Sequence, residues 1–154
     1  MPNLRDAVIA DAATIADFNC RLAWETEHKR LDPATIAAGV TAVLERPELG
    51  RYFVAEDDKK GMIIGQLMIT YEWSDWRNGQ FWWIQSVFVR VDWRGCGVFR
   101  RLYEHVTSLA RATPGVCGLR LYVDHANSRA QVVYEDLGME NVGYLFYETD
   151  WSSK

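Results

Sequence analysis

Positive charge is in short supply: 17 lysines and arginines stand against 21 aspartates and glutamates, a formal net charge of −4. No basic run is long enough to track a phosphate backbone, so nucleic acid is not an expected partner. Cysteine is scarcer still. Cys20, Cys96 and Cys117 are odd in number and widely spaced, which excludes a zinc pattern and a disulfide framework. They read as reduced thiols of a cytosolic protein, and no metal site is expected. Long apolar runs are missing too. None approaches the ~20 residues of a membrane span, and no apolar core follows Met1, so a cytoplasmic location without membrane attachment is expected.

Two phosphate-binding signatures are absent. There is no Gly-x-x-x-x-Gly-Lys-Ser/Thr run, which rules out the nucleoside-triphosphatase loop. A dinucleotide fingerprint starting at Gly95 would require a third glycine where Arg100 stands, and it would sit in the first β-α unit. What remains is an ordinary globular composition, 49% apolar and 25% charged over 154 residues, expected to fold as a single domain over 1–154.

The stretch from Gln80 to Ala110 organises the chain. Gln80 to Val89 is rich in aromatic and β-branched residues and reads as a strand. Val98, Phe99, Leu102, Tyr103, Val106, Leu109 and Ala110 then recur with a helical period. Between them lies Arg94-Gly95-Cys96-Gly97. Helix N-termini carry unpaired N–H groups and partial positive charge, and glycines ahead of them let an anion approach the backbone. The physics points to a phosphate site.

The other elements follow from caps and periodicity. Leu4 to Ala10 reads as a first strand, and Asp11 as the cap of a helix bearing Ile15, Phe18 and Leu22. Asp32-Pro33 starts a second helix that Arg46-Pro47 stops. Arg51 to Glu56 and Met62 to Trp73 form a hairpin, and Asn78-Gly79 supports the next tight turn. Beyond Pro114-Gly115, a strand over Cys117 to Val123 precedes a helix capped by Asn127 and ended by Gly138. Met139 to Val142 and Tyr144 to Thr149 read as two closing strands.

Arg94-Gly95-Cys96-Gly97-Val98-Phe99 resembles the Gln/Arg-x-x-Gly-x-Gly/Ala acetyl-CoA motif of the GCN5-related N-acetyltransferase (GNAT) superfamily, with Phe99 where Gly or Ala is usual. Asn127-Ser-Arg-Ala130-Gln-Val-Val-Tyr134-Glu-Asp-Leu137-Gly138-Met139 is similar to that family's Asn-x-x-Ala-x-x-x-Tyr-Glu-x-Leu-Gly-Phe. The element order β-α-α-β-β-β-α-β-α-β-β also matches. The resemblance implies an α/β (α+β) fold: a mixed, mostly antiparallel sheet of about seven strands flanked by about four helices. It implies acetyl-CoA as cofactor, held by Arg94, Gly95, Cys96, Gly97, Val98, Phe99 and Arg100. The strand at Val87, Phe88 and Val89 would pair with the pantetheine arm beside a bulge near Gln85 or Ser86, and Asn127 would touch that arm.

Acyl transfer from a thioester to an amine needs a neutral amine and a proton for the departing thiolate. The resemblance gives the proton to Tyr134. Acids that many relatives carry on the fourth or fifth strand are replaced by Gln85 and Tyr122. Because the connection between the first two helices normally walls the acceptor site in that fold, the resemblance makes Glu25 the expected base and acceptor contact, with Glu27, His28, Glu72 and Asp75 as further candidates and bulk solvent as another route. Trp76, Trp83 and Gln85 are expected to line the acceptor site, a small-molecule primary amine being the expected substrate. The tryptophan cluster could equally bury a homodimer interface. The alternative function is a non-catalytic acyl-CoA-binding or protein-interaction module of the same fold.

Overall fold

The computed structural model describes residues 1–152, which divide into two compact units, Met1–Leu121 and the segment from Tyr122 onward. In the first unit β1 (Asn3–Asp6), β2 (Arg51–Glu56), β3 (Ile63–Ser74), β4 (Gly79–Val89) and β5 (Val116–Arg120) make one sheet in the order β1-β2-β3-β4-β5. All neighbours are antiparallel except β4 and β5, which run parallel. Helices α1 (Ala12–Glu27) and α2 (Pro33–Glu45) precede β2, and α3 (Val98–Ala112) connects β4 to β5.

Strand alternation sends neighbouring side chains to opposite faces, and both faces of this sheet are covered. Tyr52, Val54 and Phe88 pack with Ile15, Phe18 and Val40 of α1 and α2. Phe53, between Tyr52 and Val54, faces the other way and meets His105 of α3 edge-on at 5.5 Å. Val98, Leu102, Val106 and Ala110 are the buried stripe of α3. Gly65 of β3 lets that helix sit close, because a Cβ there would lie 3.0 Å from Val98 Cγ1. Among the described residues no helix is long and apolar enough to cross a membrane.

The Asp32 cap forms as expected, its carboxylate accepting the Thr35 N–H at 2.9 Å. Asp11 behaves differently. It accepts the Val8 N–H at 2.8 Å and two donors of Arg5, and it makes no side-chain cap to α1. Arg5 reaches Glu56 as well, at 2.6 Å. The Arg5 guanidinium holds both carboxyls below the usual carboxylate range, and its own pKa is raised in return.

The second unit contains α4 (Ser128–Asp136), capped by Asn127 Oδ1 accepting the Ala130 N–H at 3.1 Å. Gly138, past the helix, takes φ 92° as anticipated. Among the described residues the expected seven strands are corrected to five. Neither Met139–Val142 nor Tyr144–Thr149 is a strand, and residues 139–150 carry no regular secondary structure. Alternation marks a segment able to pair, but a strand exists only when a neighbour supplies the other half of the ladder.

The Arg5 cluster ties stability to pH. Depressed folded-state pKa values give stability that is complete above the unfolded carboxyl value of about 4 and is lost as pH falls through the folded values. Urea midpoints should be level between about pH 7 and 5 and fall below about pH 4. Asp11→Asn should lose about 1–3 kcal/mol at neutral pH, with a shallower acid slope.

Candidate active site

After β4 a single 3-10 turn, Val91–Trp93, leads into Arg94-Gly95-Cys96-Gly97. Gly95 and Gly97 adopt φ 77° and 79°, a left-handed backbone that costs other residues about 1–2 kcal/mol. A Cβ at either position would meet nothing within 4 Å. Backbone conformation, not crowding, therefore demands glycine, and the loop surface is open. The first helical bond runs from the Arg101 N–H to the Gly97 carbonyl at 3.1 Å. Amides earlier in the turn have no acceptor within the helix, so the end of α3 presents donors at an exposed loop. The Phe99 ring lies against Tyr103, one turn along α3, with centroids 6.2 Å apart. Arg100 is exposed at the same helix start, and Val98 is buried beneath it. Cys96 is exposed within the loop.

Arg94 is fixed at two points. Its Nε donates to the Val89 carbonyl at 2.8 Å and its Nη2 to Glu25 Oε2 at 2.7 Å. The guanidinium also lies 5.4 Å from the centroid of the Phe88 ring. Glu25, expected as a free base, is therefore an ion-pair partner that ties the last turns of α1 to the loop. Glu72 is likewise paired, with Arg120.

Just ahead of the loop, β4 changes register against β3. Gln66 opposes Phe88 while Met68 opposes Gln85, which leaves Ser86 and Val87 facing the single residue Leu67. Ser86 takes φ 50°, so the bulge expected near Gln85 or Ser86 is present. Below it runs a buried amide chain. Gln66 Nε2 donates to the Ser86 carbonyl and to Asn19 Oδ1, each at 3.0 Å, and Asn19 Nδ2 donates to the Tyr52 hydroxyl at 3.2 Å. Burial pushes the Tyr52 phenol up, partly offset by its hydrogen bonds with Asn19 and Ser86. Sequence reading missed this chain. Its one signal was a glutamine inside the apolar run Ile63-Ile64-Gly65-Gln66-Leu67.

Pairing of β4 with β5 ends at Trp83 opposite Arg120. From Ile84 to Val89, the stretch holding Val87, Phe88 and Val89, that edge of β4 has no strand beside it in the first unit. Gln85 is half-buried and gives its amide to Thr70 Oγ1 at 2.5 Å. Trp82 is buried and Trp83 half-buried. Trp76 is not brought to the bulge. It lies in the β3–β4 turn, 86% exposed, and at about 3.3 Å per strand residue that turn is roughly 20 Å from Ser86.

In the second unit Asn127 caps α4. Tyr134, on the same helix, is half-buried. Burial raises its phenol pKa above the ordinary 10, so the hydroxyl keeps its proton at neutral pH. Such a group can donate a proton and cannot serve as a base there.

The sequence model of the Acetyltransferase (GNAT) family matches residues 12–139. A search of the curated proteins found no significant match. Among solved structures, a possible acetyltransferase from Clostridium difficile 630 is 40% identical, with 97% of each chain covered and a TM-score of 0.90. A predicted acetyltransferase from Clostridium acetobutylicum, solved with acetyl-CoA, is 17% identical over 97% of this chain and 96% of that one, with a TM-score of 0.79. Glucosamine-6-phosphate N-acetyltransferase from Arabidopsis thaliana is 17% identical over 99% of both chains, with a TM-score of 0.74.

The buried amide chain is open to direct test. Gln66→Leu keeps the volume but leaves Asn19 Oδ1 and the Ser86 carbonyl without their donor. Chemical denaturation should record a loss of about 1–3 kcal/mol. An unchanged midpoint would mean that the bulge does not need Gln66.

Proposed function

The chain belongs to the acetyltransferase (GNAT) family, and on that premise we propose that it moves the acetyl group of acetyl-CoA directly onto a primary amine of a small molecule. The observation that carries this reading is the open loop with Gly95 and Gly97 in left-handed conformation at the start of α3, directly after a bulged strand. A diphosphate fits such a turn, because backbone N–H groups and the helix dipole both favour negative charge.

In this reading Gly95, Cys96, Gly97, Val98, Phe99 and Arg100 hold the diphosphate, and Arg94 keeps the loop in place through the Val89 carbonyl and Glu25. The unpaired edge of β4 at Val87, Phe88 and Val89 offers main-chain groups to the amide-bearing pantetheine arm, as a strand edge does to an extended peptide. Asn127 adds a contact to that arm. When bound, acetyl-CoA supplies the activated acyl carbon. Acyl transfer to the acceptor nitrogen would release a thiolate, to which the Tyr134 phenol would give its proton, regaining one from solvent. The proton lost by the amine goes to solvent. Glu25 acts through Arg94 and takes no proton itself. Trp83 and Gln85 stand on β4 ahead of the bulge and contribute to the acceptor side. Cys96, in the phosphate loop, carries no acyl group.

Incubation with acetyl-CoA and a panel of amines, with titration of released thiol, tests the assignment. Amine-dependent release is expected. Cofactor binding without release by any amine would favour the alternative, a non-catalytic acyl-CoA-binding or interaction module. Tyr134→Phe should lower kcat by about 100-fold or more with little change in acetyl-CoA affinity, and Cys96→Ser should leave turnover intact. Gly97→Val should weaken acetyl-CoA binding by about tenfold or more, through the 1–2 kcal/mol cost of a left-handed valine and the bulk it adds to the loop.

A further inference from the structure

The sheet face that carries Gln85 runs away from the bulge into a corner with unused cationic donors. Residues opposite one another in a ladder share a face, as do alternate residues of one strand. Gln85, Trp83 and Phe81 of β4 therefore stand with Glu72 of β3 and Arg120 of β5. Gly118 opposes Phe81 and leaves room for its ring, since a Cβ there would lie 2.8 Å from Phe81 Cε1. The Arg120 guanidinium covers that ring at 3.6 Å, and the Arg77 guanidinium, from the β3–β4 turn, lies 5.0 Å from the same centroid. Arg120 donates to Glu72 through Nη1 alone. Among the described residues its Nε and Nη2 make no hydrogen bond, and the Arg77 side chain makes one, from Nη1 to Ser74 Oγ at 3.4 Å. Asp75, in the same turn, accepts the Trp76 N–H at 3.0 Å and pairs with neither arginine. The Arg120 side chain is 31% exposed, so its remaining donors are within reach of a ligand.

We propose that this corner selects the acceptor: the amine substrate carries an anionic group, a carboxylate or a phosphate, which the Arg120 and Arg77 guanidiniums hold while the amine lies at the bulge. The inference rests on the acetyl-transfer reading and adds the acceptor's class to it. Two guanidiniums face one bound carboxylate, so positive charge is in excess around Phe81. A planar guanidinium presents donors in a fork that matches carboxylate and phosphate oxygens. Here the fork is held before any ligand arrives, its plane by the Phe81 ring and its rotation by Glu72, which limits the entropy lost on binding. A cationic tail would have to displace Arg120 from Glu72, and an uncharged tail would leave the free donors without a charged acceptor. Arg120 stands opposite Trp83, and its head lies over Phe81. At about 3.3 Å per strand residue these positions are roughly 10 and 16 Å from Ser86, so the acceptor is an extended molecule with its anion remote from the reacting nitrogen.

Thiol release from acetyl-CoA tests this with ω-amino carboxylates and ω-aminoalkyl phosphates of increasing chain length, each beside its uncharged carboxamide or alcohol counterpart. The unmodified chain should prefer an anionic acceptor over its neutral counterpart by about tenfold or more in kcat/KM. Whichever series gains more identifies the anion. Arg120→Gln should remove most of that preference by raising KM for the anionic acceptor about tenfold, acting on KM rather than kcat because the contact is remote from the reacting atoms. Arg120 also packs on Phe81, so Arg77→Gln, on the exposed turn, is the second variant. It should lower the same preference about threefold, as loss of a surface charge contact would, with the urea midpoint unchanged. Equal rates for anionic and neutral acceptors at every length, or a preference that survives both variants, would overturn this inference and leave acetyl transfer standing. Thiol release with neither set would overturn the acetyl-transfer reading, and this inference with it.

Discussion

The bulge at Ser86 is the constraint on which the site depends. A serine at φ 50° costs of order 1–3 kcal/mol and persists only if its surroundings over-determine it. They do. Gln66 reaches across from β3 to hold the Ser86 carbonyl and is itself held by Asn19, which donates to Tyr52. Each of these bonds contributes about 1 kcal/mol net in a protein interior, so together they match the backbone cost. The chain is also expensive to break, because its members are buried and would be left without partners. A local distortion of β4 is in this way anchored in the core shared by α1, β2 and β3, and β4 delivers the chain directly into the glycine loop.

The parts of this arrangement legible in the sequence are those decided by neighbours along the chain. The α3 stripe, the Asp32 and Asn127 caps, the glycines of the loop and the left-handed Gly138 each depend on a few consecutive residues, and each stands where periodicity and cap chemistry put it. The misses share a different cause. Glu25 looks like a free helix carboxylate until Arg94, 69 residues away, is folded against it. Gln66 looks like an irregularity in an apolar strand until Asn19 and Ser86 surround it. Asp11 has the right residue type for a helix cap, yet a guanidinium from β1 competes for its oxygens with stronger, charge-assisted bonds. Tertiary partners decide these roles, and no window of sequence contains them.

The absent closing strands make the same point about sheets. Residues 144–149 are rich in the aromatic residues that strands favour, and such composition is a statement about capacity only. A helix closes its own hydrogen bonds, so a capped, periodic segment such as α4 forms within its unit. A strand has no internal bonds and takes its existence from whatever lies beside it.

Arg94 shows how a motif residue can also matter to the fold around it. An arginine beside a phosphate loop is readily taken as a charge for the phosphate, yet its Nε and one Nη already serve the Val89 carbonyl and Glu25, and its face lies near Phe88. Those three contacts join the end of β4, the end of α1 and the first residue of the loop. A glycine loop left to itself would sample many conformations, since the freedom that lets Gly95 and Gly97 reach positive φ is paid for in entropy. Pinning the residue in front of them restricts that freedom where an anion would have to find several amides pointing the same way. Arginine suits this position through its planar fork, which bonds a carbonyl and a carboxylate at once; a lysine, with a single point charge, could not hold both in fixed geometry.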